Sequence, residues 1–293
     1  MSRIHEALKK AELERASGAG TAAIALPVEH APETRPSAPQ HEADTTGSPL
    51  TVEKLIHGCR QVHWRPEPKT ALLFNAANHV QGSEELRTLR SRLYQIRDRQ
   101  PLRTILISSA LPAEGKTFLT ANLAHMIVRQ HERRALIIDA DLRRSQLHDL
   151  LGAPGEPGLT EYLRGQADEL SIIQRGSYDR LFFIPGGKPA SNPAELLANG
   201  RLKTLLERVS PLFDWVLLDS PPALPVADSS AMADLCDGVL LVVRAASTSF
   251  DLAQRARDEF RQKGLVGVVL NQVEAGMAYN SYYYHYYQGN KGK

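Results

Sequence analysis

Lys116 and Thr117 stand directly after Gly115 at the end of the run Ala110, Leu111, Pro112, Ala113, Glu114, and these types in this order suit the holding of a polyphosphate. The run lies between a β-rich stretch, 104–108, and a helical stretch that opens at Phe118, the strand, loop, helix setting that a phosphate-binding loop needs. In that setting Gly115 lets backbone N–H groups close around phosphate oxygens at the positive end of a helix. Lys116 brings a point charge to the β and γ phosphates, and Thr117 offers a hydroxyl to Mg²⁺. One departure is visible: the usual first glycine of such a loop is Ala110.

Two more β-rich runs end in acids. Ala-Leu-Ile-Ile leads into Asp139 and Asp141, and Trp-Val-Leu-Leu leads into Asp219. Alternate residues of an extended chain face the same side, so Asp139 and Asp141 can serve one ligand. Asp219 has the place and type of an acid that holds Mg²⁺ through water. A single aspartate at a strand end is equally suited to capping the next helix. Three carboxylates beside a phosphate loop repel and raise one another's pKa unless a dication neutralises them, which points to Mg²⁺.

These groups must be positioned by strands that deliver them to one edge. Apolar runs at 104–108, 135–138, 181–184, 215–218, 239–243 and 266–270 alternate with helical stretches such as 119–129 and 250–262. Runs apolar on both faces predict a doubly wound, mostly parallel α/β sheet covered on both sides, with its ligand beyond the carboxyl ends of the strands. The 293 residues accommodate one such domain with appendages; 42% hydrophobic and 23% charged residues are ordinary for a soluble protein. A net charge of +2 argues for no polyanionic partner such as nucleic acid. Cys59 and Cys236 are far apart, with no disulfide framework or zinc spacing around them. No apolar run approaches the roughly 20 residues that span a bilayer.

Residues 1–17 read as an amphipathic helix with Ile4, Ala7, Leu8 and Ala11 on one stripe, suited to docking on a protein or to remaining solvated. The expected flexible linker covers 18–68, rich in Ala, Pro, Glu, Thr and Ser, although Val52, Leu55, Ile56 and Trp64 leave the order of its last part open. The main domain is expected over 69–277 and a tail over 278–293. That tail holds Tyr279, Tyr282, Tyr283, Tyr284, Tyr286 and Tyr287, six of nine tyrosines, with no period that makes a core face. An aromatic contact patch or a low-complexity end would also fit such a cluster.

AxxxxGKT, LIIDADLR and VLLDSPP together resemble the Walker A, A′ and B motifs of the bacterial tyrosine kinases, over about residues 70–290. The septum-site and partition ATPases share the layout but usually carry a lysine where this chain has Leu111, so a non-kinase ATPase switch is the alternative. The resemblance implies a tyrosine autokinase of exopolysaccharide or capsule export, using ATP and Mg²⁺ and modifying the tail tyrosines. Lys116 would hold the transferred phosphate, and Thr117, Asp141 and Asp219 would organise Mg²⁺. Asp139 would be the base, although spacing does not separate it from Asp141, and Asn271 would meet the adenine. Upstream, Glu84, Arg87 and Arg90 resemble the family's E-x-x-R-x-x-R subunit contact, implying a homo-oligomeric ring. The implied partners are a membrane polysaccharide co-polymerase as activator and a cognate tyrosine phosphatase. The implied location is cytoplasmic, at the inner face of the plasma membrane through that partner.

Overall fold

The computed structural model describes residues 49–66, 82–176 and 178–273. The expected N-terminal helix, the linker up to residue 48 and the six tail tyrosines lie outside the described residues. The elements run α1 (Val52–Gly58), β1 (Arg60–Gln61), α2 (Ser83–Arg97), β2 (Thr104–Ser109), α3 (Lys116–Val128), β3 (Ala135–Asp139) and α4 (Leu147–Leu151). They continue with α5 (Leu159–Leu163), α6 (Glu169–Ile172), β4 (Gln174–Arg175), β5 (Leu181–Ile184), α7 (Pro193–Ala198) and α8 (Arg201–Val209). The remainder is β6 (Trp215–Asp219), α9 (Asp228–Ala233), β7 (Gly238–Arg244), α10 (Phe250–Glu259) and β8 (Leu265–Asn271).

The strands form an 8-stranded sheet in the order β1-β4-β5-β3-β6-β2-β7-β8. Pairing is parallel except between β4 and β5. Alternation within each central strand feeds two separate cores. Leu106, Leu136, Ile138, Phe182, Val216 and Leu218 face one side, under α8 and its Leu202, Leu205, Leu206 and Val209. Ile105, Ile107, Ile137, Phe183, Trp215 and Leu217 face the other, under α2 and α3. This is the covered, mostly parallel α/β sheet expected from runs that are apolar on both faces. Among the described residues, no helix is long and apolar enough to cross a membrane.

The fold begins before residue 69. Thr51 caps α1, its hydroxyl accepting from the Lys54 N–H at 3.2 Å, and Leu55 is wholly buried. Strand β1 pairs with β4 at one sheet edge, and Trp64 stands edge-on to Phe183 with ring centroids 6.1 Å apart. The last part of the expected linker, 51–66, is therefore folded. Its apolar residues are too sparse to show a period, but each meets a core that the rest of the chain supplies.

On α3, His125 is buried and lies edge-on to Tyr178. Burial pulls its pKa down to about 4, with the Arg129 charge adding to the effect. The unfolded imidazole takes a proton near pH 6.5, so the neutral folded form contributes stability that is full above that pH and is lost as pH falls through 4. Between pH 7 and pH 4.5 the loss is expected to be about 2–3 kcal/mol. Denaturant titrations at both pH values should find His125→Phe less acid-sensitive than the native chain by that margin, and equal sensitivity would contradict the assignment.

Candidate active site

Strands β2, β3 and β6 are neighbours, and their register brings Asp139 level with Asp219, which is itself level with Ile107 near the end of β2. The loop 110–115 and the acids of β6 and β3, the next two strands on one side of β2, thus leave the sheet together. Gly115 is the N-cap of α3, with φ 92° and no side-chain cap, so the first-turn N–H groups of a 13-residue helix face the loop without a protein carboxylate or hydroxyl in the capping place. Ala110 is fully buried and is absent from the positive-φ positions, so this turn does not need glycine there. Ala113 does take φ 63°, an unusual value for a residue with a Cβ, at the exposed crest it shares with Pro112. Leu111 and Phe118 are half-buried.

Lys116 Nζ lies 3.2 Å from Asp141 Oδ2 and 4.0 Å from Asp219 Oδ1. Burial works against its charge, but the Asp219 and Asp141 carboxylates outweigh burial and hold its pKa above the ordinary lysine value. The Thr117 hydroxyl donates to Asp219 Oδ2 at 2.7 Å. Asp219 Oδ1 is buried and has no hydrogen-bond partner. Burial raises the pKa of Asp219, and Lys116 offsets only part of that rise.

Asp139 and Asp141 part company because β3 ends at Asp139 and the chain turns. Asp139 Oδ2 accepts from the Ser145 hydroxyl at 2.7 Å and from the N–H groups of Gln146 and Leu147 at 3.1 and 3.0 Å. Its Oδ1 accepts from the Asp141 N–H at 3.2 Å. Burial lifts its pKa well above the ordinary carboxylate range despite the Ser145 and Leu147 bonds. The spacing argument places both acids toward one ligand; in the fold, Asp141 reaches Lys116 while Asp139 also anchors the start of α4.

The buried, orphaned oxygen of Asp219, the Thr117 hydroxyl and three carboxylates against one lysine fit a hydrated Mg²⁺ beside a polyphosphate. Among the described residues no group of three or more His, Cys, Asp or Glu side chains forms an all-protein metal cage. Mg²⁺ at phosphate sites is usually held by one or two carboxylates with phosphate oxygens and water, so the donor set is of the right kind.

Asn271 ends β8 against the loop, its side-chain amide donating to the Glu114 carbonyl at 2.8 Å. Glu84 and Arg87 pair with each other on the first turns of α2. Arg90 is turned inward, its guanidinium donating to the Met126 carbonyl of α3 at 2.8 Å. Arg143, quoted in the A′ motif without a role, forks onto the buried Asp228 at 2.7 and 3.3 Å and ties the turn after β3 to α9. Asp228 carries no local sequence signal, because its partner is 85 residues away.

A phosphate-binding loop at a helix N-terminus, with acids from the next two strands of a doubly wound sheet, defines a P-loop nucleotide-binding domain. No family model matches the chain. It is 36% identical over 197 residues to the tyrosine-protein kinase ptk of Acinetobacter johnsonii, covering 67% of this chain and 27% of that one. It is 34% identical over 193 residues to the tyrosine-protein kinase CpsD of Streptococcus agalactiae, covering 64% of this chain and 81% of that one. The kinase domain of the Escherichia coli tyrosine kinase ETK superposes with a TM-score of 0.62 at 30% identity, over 70% of this chain and 85% of that one. The chain belongs to the bacterial tyrosine-protein kinases. It spans about a quarter of the length of the Acinetobacter relative.

Proposed function

We propose that this chain is an ATP-dependent protein-tyrosine autokinase that phosphorylates Tyr279, Tyr282, Tyr283, Tyr284, Tyr286 and Tyr287 of its own C-terminal run. The observation that carries the reading is the juxtaposition of Lys116 with Asp141 and of Thr117 with Asp219, at 3.2 and 2.7 Å, in front of an uncapped helix N-terminus. Phosphoryl transfer has a loose transition state, so positioning and charge neutralisation supply most of the catalysis. Mg²⁺, when bound with ATP, would neutralise the phosphates and polarise the terminal group. Lys116 would hold that group, and Thr117, Asp141 and Asp219 would orient the metal and its water.

Asp139 is proposed as the base for the incoming phenol. Its raised pKa supports this, since a carboxylate works best as a base when its pKa approaches the working pH. Three of its four donors are backbone amides that fix its orientation, and the fourth, the Ser145 hydroxyl, can rotate away. We further propose that the kinase acts in exopolysaccharide or capsule polymerisation and export. It would be held at the cytoplasmic face of the plasma membrane by a co-polymerase that activates it, assembled as a ring through the face bearing Glu84 and Arg87, and reset by a tyrosine phosphatase.

Full-length chain incubated with Mg-ATP and the cytoplasmic segment of a co-polymerase is expected to gain phosphotyrosine, and a chain truncated after Ala278 to lose that signal. Phosphotyrosine surviving truncation would move the acceptors out of the tail. Hydrolysis of ATP with no phosphotyrosine at all would favour a switch of the septum-site or partition type.

A further inference from the structure

Glu114 is a carboxylate inside the phosphate loop that does not face the phosphate place. It is 2% exposed, and each of its acceptors is used. Oε2 accepts from the Leu111 N–H at 2.7 Å, closing the loop on itself. Oε1 accepts from the Arg244 N–H at the end of β7, at 3.3 Å, and from the Thr248 hydroxyl in the turn between β7 and α10. The Glu114 carbonyl accepts from Asn271 at the end of β8. That turn is itself bonded to β8, the Ala245 N–H donating to the Asn271 carbonyl at 2.9 Å.

In the sheet order, β6 and β3 lie on one side of β2 and β7 and β8 on the other. The loop after β2 therefore stands between the acids and the segment 244–248. On the reading under Proposed function, the terminal phosphate of the nucleotide points toward Asp141 and Asp219, so its nucleoside end points toward β7 and β8. A buried carboxylate without hydrogen bonds would be costly, and here all of its bonds go to these two loops. We infer that Glu114 is a positioning residue that locks the phosphate loop to the β7–α10 turn, so that the nucleoside end and the phosphate end of a nucleoside triphosphate are bound by one rigid unit. Thr248, outside the phosphate loop, then helps to set the loop's grip on phosphate.

Calorimetry on the full chain tests this with Mg-ATP and with Mg-tripolyphosphate, which has no nucleoside end. Thr248→Val is expected to weaken both ligands by about fivefold, the worth of one hydrogen bond, and Glu114→Ala by about tenfold or more. Glu114→Ala with Thr248→Val together should bind no more weakly than Glu114→Ala alone, because both changes break the same tie. A folding role alone would lower the melting temperature and leave the affinities of the folded protein unchanged. Tripolyphosphate affinity of Thr248→Val within twofold of the native chain, or losses that simply add in the double variant, would overturn the tie. Native chain that binds neither ligand would overturn both the tie and the nucleotide reading. Native chain that binds both ligands yet forms no phosphotyrosine would overturn the kinase reading alone, and the affinities of the variants would still decide the tie.

Discussion

Lys116→Met is expected to reduce phosphotyrosine formation by at least about a thousandfold, the scale on which removal of a charge aimed at a transferring phosphoryl group is felt. Methionine keeps the unbranched apolar stem of the side chain and removes the cation that faces Asp141 and Asp219. The same change should alter stability in a pH-dependent way. Asp139 and Asp219 have folded pKa values above their unfolded ones, so they cost no stability below the unfolded carboxylate pKa, and the cost builds as pH rises from there through the folded values. Without Lys116 that cost grows. The gap in melting temperature between native and variant chains should be small at pH 5, wide at pH 8, and narrowed again by added Mg²⁺. A variant that keeps a tenth of the native rate, or a gap that does not depend on pH, would remove Lys116 from the role given to it.

Gly115→Ala should weaken Mg-ATP binding by about a hundredfold, from two independent penalties and one lost bond. At φ 92° a Cβ is strained wherever it points, and here it would come within 2.1 Å of Asn271 Nδ2. The amide of Asn271 would have to leave the Glu114 carbonyl, and the loop would shift with it. Adding Asn271→Ala removes the clash but not the backbone strain, so the double variant should recover part of the affinity. Equilibrium binding of a fluorescent ATP analogue measures both effects. Native affinity in the single variant would mean that the loop holds nucleotide in a different conformation.

The six long strands could be read in the sequence because each is apolar on both faces and needs no partner to be recognised. Strands β1 and β4 could not. They are two residues each, Arg60–Gln61 and Gln174–Arg175, with no apolar signal, and exist only because β5 offers an edge. In the site, contiguous groups were legible and long-range ones were not. Gly115, Lys116, Thr117 and the strand-end acids announce themselves by context, whereas Thr248 meets Glu114 across 134 residues. The two-residue rule for Asp139 and Asp141 assumes an extended chain, whereas β3 stops at Asp139 and each acid takes its own local partners. Helical spacing correctly grouped Glu84, Arg87 and Arg90 on α2, but spacing is silent about which of them turns inward.

The inward turn of Arg90 has a mechanical consequence. Helix α3 is a rod of 13 residues, about 20 Å long at 1.5 Å per residue, with Lys116 at its tip and Met126 near its heel. Arg90 clasps the heel. Whatever grips the outer turns of α2 at Glu84 and Arg87 is therefore holding the handle of a lever whose working end carries the phosphate-binding lysine.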